Sequence, residues 1–286
     1  MSIEFKPLCN TFGAEVTGIN IAEDLSDETI SEIRDAWLLN KILLFRGQEL
    51  TPGQQSAFAQ RFGTLKTSPN ARAWIPENPE VIVFSNIKVD GKDIGARPDR
   101  SFGDAWHSDF SYIPEPAGGS LFYAKEVPDG GGDDTWYADL TKAYDALSHD
   151  MKSKLDGLHW TYSHIMTVKR HAHDYKPMTR EQELEMPDVT HPFVRTHPET
   201  GQKVLFVGIL DTRESLVDGM SPEESVKFLD DLKAYATQPE FTYTHSWLPG
   251  DSILWDNRCT MHRGSIFPDE NGRRLCYRVT LEGGTP

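Results

Sequence analysis

The chain is poor in cysteine, short of positive charge and without long apolar runs. Its 286 residues hold three cysteines, Cys9, Cys259 and Cys276. An odd, scattered set does not make a disulfide framework, so reduced thiols and a cytoplasmic location are expected. Lysine and arginine total 29 against 44 aspartate and glutamate, a formal net charge of −15. That deficit argues against a nucleic-acid partner, whose phosphates call for a basic footprint, and against adsorption to anionic membrane. No apolar run approaches the roughly 18 residues of a bilayer-spanning helix. The opening MSIEFKPLCNTFGAEVTG shows neither the basic nor the apolar segment of a secretion signal. No G-x-G-x-x-G follows a strand pattern and no G-x-S-x-G is present, which removes dinucleotide-binding and serine-hydrolase signatures. Gly130-Gly131-Gly132-Asp133-Asp134-Thr135 lacks the Lys-Ser/Thr of a P-loop and reads as a loose turn entering a strand.

What is present suits one large domain spanning residues 1–286. Ile30, Ile33, Trp37 and Leu38 recur at helical spacing after Ser26. Thr51, Pro52 and Gln54 read as an N-cap, an N1 proline and a capping box, opening a helix that carries Ala57, Phe58 and Phe62. Ser221-Pro222-Glu223-Glu224 opens a third helix with Val226, Leu229, Leu232 and Tyr235/Ala236 on its apolar side. Strand-length runs recur at 42–45, 81–84, 121–124, 204–207, 241–247, 253–255 and 275–281, separated by Gly/Pro/Asp turns. The pattern predicts a β-sandwich or barrel wrapped by helices. The segment near 165–190, rich in charge and weak in periodicity, is expected to be a lid or insertion.

Three constellations carry chemistry. His107 and Asp109 lie two apart; on a strand they would share a face and supply two-thirds of a two-histidine, one-carboxylate facial triad. The alternative is a loop histidine and aspartate with no special role. His262, after the apolar run 253–255, could complete the triad; the rivals are a hydrogen-bonded turn histidine and a Cys259-x-x-His262 half zinc site. No second Cys/His pair at zinc spacing supports that last reading. Along 272–282, Arg274, Cys276 and Arg278 share one strand face, and arginines on an inner face need anions to meet them. The alternative for this group, Arg273 included, is a solvated strand edge, which a single arginine alone would favour. His171-x-His173 reads as solvent-exposed, and Thr135 could offer a hydroxyl to a carboxylate.

Taken in order, GAEVTGINIAEDLSD, ILLFRGQELTPGQQSAFAQRFGTL, WHSDFSY, GGDDTWYADLTKAYDAL, RTHPETGQKVLFV, WDNRCTMHRG and RRLCYRVTLEG resemble the taurine dioxygenase/2,4-dichlorophenoxyacetate dioxygenase family of Fe(II)- and 2-oxoglutarate-dependent oxygenases. The resemblance implies a mostly β fold with flanking helices and a double-stranded β-helix, or jelly-roll, core. It implies Fe(II) held by His107, Asp109 and His262, with 2-oxoglutarate and O2 as cosubstrates. Arg274, twelve residues beyond His262, matches the arginine that pairs with the distal carboxylate of 2-oxoglutarate, and Thr135 its hydroxyl partner. Arg278 matches a second arginine near cosubstrate and substrate anion. Thr67-Ser68 stands where the taurine enzymes carry a sulfonate-binding histidine, and Gly103 replaces an asparagine, so taurine itself is disfavoured. The stretches SNIKVDGK, WHSDFSY and WDNRCTMHRG look closer to the 2,4-dichlorophenoxyacetate enzymes. A small anionic substrate is implied, with aryloxyalkanoates leading and hydroxylation beside the ether oxygen giving a phenol and glyoxylate. Alkylsulfonates, alkyl sulfates and other small carboxylates are alternatives, and a non-catalytic metal-binding jelly roll is the distant one. A homo-oligomer is expected, with neither nucleic acid nor membrane as partner. The 262–278 segment, with Arg263, Arg273, Arg274 and Arg278 against Asp269 and Glu270, concentrates positive charge that the whole chain lacks.

Overall fold

Alternating and continuous apolar runs require two faces to cover, and among the described residues the chain covers them with two facing sheets, three smaller strand groups outside them, and helices. A computed structural model describes residues 3–67, 74–96, 104–128, 134–170, 179–265 and 272–286. The larger sheet runs, in spatial order, through Glu4–Pro7, Ala14–Thr17, Ile42–Phe45, Ser252–Asp256, Gly119–Glu126, Leu275–Leu281, Asn78–Ser85 and Trp74–Ile75, with Leu65–Lys66 pairing beside Leu275–Leu281. The smaller sheet places Asp134–Asp139 between Thr242–Ser246 and Thr260–Gly264. Apart from Ala14–Thr17 on Ile42–Phe45, the pairings in both sheets are antiparallel. Strands distant in sequence lie side by side, the arrangement of a jelly roll.

The space between the sheets is filled by Ile42, Leu44, Ala124, Tyr137, Trp247, Ile253, Trp255 and Cys276. The Ile42–Phe45 strand is apolar on both faces because its other side, Leu43 and Phe45, lies under the first two helices. Those helices are Asp27–Asn40, capped by Ser26, and Pro52–Gln60, whose Thr51–Gln54 capping box forms as predicted. In the second helix Ala57 faces out. Gln55 takes an inward position and its amide donates to the carbonyls of Leu121 (2.9 Å) and Tyr277 (3.1 Å), tying the helix to the sheet. The Pro222–Ala236 helix buries Leu229, Leu232 and Ala236 against a second core built on Trp160, Phe193, Phe206 and Val207.

Of the predicted lid, residues 165–170 belong to the helix His164–Arg170, and Thr179 caps a second helix, Arg180–Leu184. His171 and His173 lie outside the described residues, as do Ser68 and Gly103. No helix of the described residues is long and apolar enough to cross a membrane.

Lys41 ends the first helix in the left-handed region (φ 67°) although it carries a side chain. Its ammonium lies 3.1 Å from the fully buried Asp139 carboxylate, and its carbonyl accepts from Asp256 N at 2.8 Å. Asp139 in turn caps the Leu140–Asp145 helix through Thr141 N and Lys142 N.

Candidate active site

His107 and Asp109 are not on a continuous strand, as the two-residue spacing had suggested. His107 forms a single bridge to His262, exchanging both backbone hydrogen bonds at 2.9 and 2.8 Å, and Asp109 begins a turn whose next residue, Phe110, has φ 58°. The register thus adds His107 to the free edge of the Thr260–Gly264 strand. This places the two imidazoles side by side, ring centroids 4.4 Å apart. The turn then carries Asp109 round until its Oδ1 is 3.9 Å from His107 Nε2. Ligand atoms of His107, Asp109 and His262 all lie within 4.8 Å of one another.

Their surroundings set their charge. Burial, with neighbouring His107 and Arg278, holds His262 down to about 3, and burial likewise lowers His107, so both rings are neutral. Burial by itself would raise the Asp109 carboxyl, but the Arg278 guanidinium, with help from the Ser120 hydroxyl, outweighs it and holds Asp109 at about 2. Arg278 Nη1 donates to Asp109 Oδ1 at 2.9 Å and Ser120 Oγ to Oδ2 at 3.1 Å. His107 Nδ1 sits 2.8 Å from the Ala105 carbonyl, which fixes its proton there and leaves Nε2 as a bare lone pair. His262 Nδ1 is buried with no hydrogen-bond partner. Two neutral imidazoles and an ionised carboxylate, converging and incompletely satisfied, are a donor set that fits a divalent non-haem iron.

The turn 256–259 holds this geometry. Asn257, fully buried, accepts from Asp109 N through Oδ1 (2.7 Å) and donates through Nδ2 to the carbonyls of Asp109 (3.0 Å) and Ala117 (2.9 Å). Arg195 caps the Asn257 carbonyl at 3.1 Å. Asp256 accepts from Arg258 through both oxygens (2.8 and 2.7 Å) and from His197 Nε2 at 3.0 Å. His197, Asp256 and Cys259 form a second cluster with metal-ligand atoms. There, however, His197 Nδ1 accepts from the backbone N–H groups of Glu199 and Thr200, so its proton must be on Nε2, committed to Asp256. Burial also pushes the Cys259 thiol up. This cluster is a structural knot rather than a metal centre.

Arg274 and Arg278 lie on one inner face as expected, their guanidinium carbons over the rings of Phe122 (5.8 Å) and Phe84 (5.0 Å). The face is kept despite a bulge at Lys125, where the pairing of Leu275 with Glu126 gives way to Cys276 with Ala124. Arg278 Nε is buried with no partner. Arg273 pairs with Glu126 at the exposed edge. Thr135 lies opposite His245 and Gly264 on the smaller sheet. The structure therefore brings His107, Asp109, His262 and Arg278 into direct contact, with Arg274 next but one along the same strand face.

Sequence reasoning missed Ser120, Asn257 and the stacked pair Tyr112–His164, whose rings lie 4.1 Å apart and 14° from parallel. The only available signal was WDN preceding His262 by a few residues.

Comparison with known proteins agrees with this geometry. Residues 4–280 match the model of the family described as taurine catabolism dioxygenase TauD, TfdA family. The 2,4-dichlorophenoxyacetate dioxygenase of Cupriavidus pinatubonensis, named as alpha-ketoglutarate-dependent, is 37% identical over 99% of both chains. The (S)-phenoxypropionate/alpha-ketoglutarate-dioxygenase of Sphingobium herbicidovorans is 34% identical over 99% of this chain and 96% of its own. Among solved structures, AAD-2 in complex with Mn(II) and N-oxalylglycine superposes with a TM-score of 0.80 at 29% identity, covering 100% of this chain and 99% of that one. A taurine dioxygenase from Burkholderia xenovorans gives 0.79 at 30% identity, covering 99% and 90%. The chain belongs to the TauD/TfdA family, and is a 2-oxoglutarate-dependent oxidoreductase using Fe(II) and O2.

Proposed function

We propose that this enzyme hydroxylates a small aryloxyalkanoate anion at the carbon beside its ether oxygen. In this reading His107, Asp109 and His262 hold Fe(II), Arg274 and Thr135 bind the distal carboxylate of 2-oxoglutarate, and Arg278 anchors the substrate carboxylate. The observation that carries the reading is Arg278: a guanidinium with one nitrogen on a ligand carboxylate and a buried Nε without partner, placed beside the triad. A planar cation so placed suits a second carboxylate.

Bound iron supplies the oxidising chemistry, which consumes O2 and 2-oxoglutarate and releases succinate and CO2 with the hydroxylated product. The protein's own groups do the rest. Arg278 keeps Asp109 ionised and would draw the substrate anion to its free edge. Neutral His107 and His262 keep their lone pairs available at ordinary pH. Phe84 and Phe122 exclude water from the two guanidinium groups and so strengthen their pull on carboxylates. The non-catalytic alternative loses its basis because the ligand set is complete and the family is one of enzymes.

A second reading is favoured by the relative named alkylsulfatase from Acinetobacter baylyi, 30% identical over 98% of this chain and 85% of its own. A sulfate ester also presents an anion next to an oxygen-bearing carbon. The test is succinate release with Fe(II) and 2-oxoglutarate across aryloxyalkanoates, alkyl sulfates, alkylsulfonates and small carboxylates. Turnover led by an aryloxyalkanoate supports the proposal; turnover led by an alkyl sulfate replaces it with the second reading. Anaerobic addition of Fe(II) and 2-oxoglutarate should first give a metal-to-ligand charge-transfer band, and its absence in folded protein would remove the ligand assignment.

A further inference from the structure

Thr135 and Trp247 meet at the end of the smaller sheet, where Asp134 pairs with Ser246 and Thr135 with His245. The Trp247 indole Nε1–H donates to Thr135 Oγ1 at 2.9 Å. Indole is a donor only. Thr135 must therefore accept this bond, and its own hydroxyl proton has to point elsewhere. Among the described residues no acceptor takes that proton.

The indole is itself fixed. It is 4% exposed, meets His245 edge-on at 4.6 Å and lies 4.9 Å from the Phe122 ring. His245 is held by Asp251 at 3.0 Å, and Asp251 by Arg46 at 2.9 Å. Phe122 is the ring beneath the Arg274 guanidinium. One side chain thus sets the hydroxyl through a hydrogen bond and supports the guanidinium through one intervening ring.

We propose that Trp247 is a positioning residue for the cosubstrate: by donating to Thr135 Oγ1 it makes the Thr135 hydroxyl an obligatory donor toward the distal carboxylate of 2-oxoglutarate. This rests on the assignment of Thr135 and Arg274 to that carboxylate. With no indole N–H, the hydroxyl has other rotamers and other partners, and an oriented charge-assisted bond becomes an unoriented one.

The test is calorimetric titration of 2-oxoglutarate into Mn(II)-loaded protein. Thr135→Val is expected to weaken binding about 10- to 30-fold and Trp247→Phe about tenfold, the range for hydrogen bonds to a charged group. The double variant is expected to bind within about twofold of Thr135→Val, because an orienting group has nothing left to orient. Fully additive losses, or a Trp247→Phe variant that binds as wild type does, overturn the proposal. A measurement that needs no Trp247 variant covers the case in which Trp247→Phe does not fold. In Zn(II)-loaded protein the Trp247 indole N–H resonance should shift on saturation with 2-oxoglutarate, and a shift that is absent, or equally large in Thr135→Val, overturns it too. If wild type fails to bind 2-oxoglutarate at all, the cosubstrate assignment itself falls, and this inference with it.

Discussion

Gly208 lies against the loop that carries two of the three proposed ligands, and adding one methyl there should loosen metal binding. A Cβ on Gly208 would stand 2.3 Å from Ser108 Oγ, 2.5 Å from Ser108 Cβ and 2.9 Å from Ser108 N. Ser108 is between His107 and Asp109, is 1% exposed, and is pinned by its hydroxyl to the Thr260 carbonyl at 2.9 Å. Its N–H donates to the Gly208 carbonyl at 3.1 Å. Ordinary contact begins at 3.4 Å, so the two segments must part by about 0.9 Å at Ser108 Cβ. Overpacking a filled interior costs about 1–3 kcal/mol, and the stretched backbone bond about 1 kcal/mol more. The metal-free protein relieves this by letting the 107–109 loop move out, and metal binding has to draw it back. Gly208→Ala should therefore weaken Mn(II) affinity by about 1.5–3 kcal/mol, roughly 10- to 150-fold, while the protein stays folded below its melting temperature. Calorimetric or paramagnetic-resonance titration with Mn(II) reads the effect. Ser108→Gly in the same background removes the two closest atoms and should recover most of the loss. A folded Gly208→Ala protein with wild-type affinity, or no recovery in the pair, would refute the reasoning.

Lys41→Met leaves the buried Asp139 carboxylate unpaired and should cost about 3–5 kcal/mol in urea unfolding; a loss under about 1 kcal/mol would mean that the pair stabilises little. Asn257→Asp keeps the shape but sets an acceptor against two carbonyls, so Mn(II) affinity should fall at least about tenfold; unchanged affinity would deny it a part in holding Asp109. Burial lowers His191 and His164 to about 4. The unfolded chain therefore binds more protons than the native one between about 6.5 and 4, and stability should be full above that window and fall through it as the pH drops. A urea midpoint that stays flat from pH 6.5 to 4.5 would contradict this. Asp256, held near 2 by Arg258 and His197 against the upward push of burial, adds its own loss only in the lower window from about 3.8 to 2. Arg274→Ala should raise the 2-oxoglutarate requirement far more than it lowers maximal turnover, and an unchanged requirement would sink its assigned role.

Some of this was legible in the sequence because periodicity and capping are local. The faces of the Leu275–Leu281 strand followed from alternation, and the Thr51 and Ser221 caps from residue type. Alternation misled at His107 and Asp109, because a bridge and a turn with positive φ bring the side chains together without a strand. Beyond the WDN motif nothing local pointed to Asn257, whose three partners are backbone atoms 140 and 148 residues away. Gln55 and Ser120 were invisible because their value lies in partners that only the fold brings to them, the carbonyls of Leu121 and Tyr277 for Gln55 and the Asp109 carboxylate for Ser120. The candidate metal ligands and the arginines were proposed through family resemblance, which supplied their pairing where spacing alone left rivals open.

The bridge between His107 and His262 also bears on the order in which the molecule assembles. An antiparallel hydrogen-bonded pair sets its two backbones about 5.5 Å apart before any ion arrives. The two segments lie roughly 150 residues apart in sequence and meet only once the strands between them have found their places. Neither segment carries the whole proposed donor set, so an ion is not expected to nucleate this fold as zinc does in a small finger. On that assignment loading should come late, on a finished scaffold, and chelation should empty the centre while leaving the tertiary structure standing.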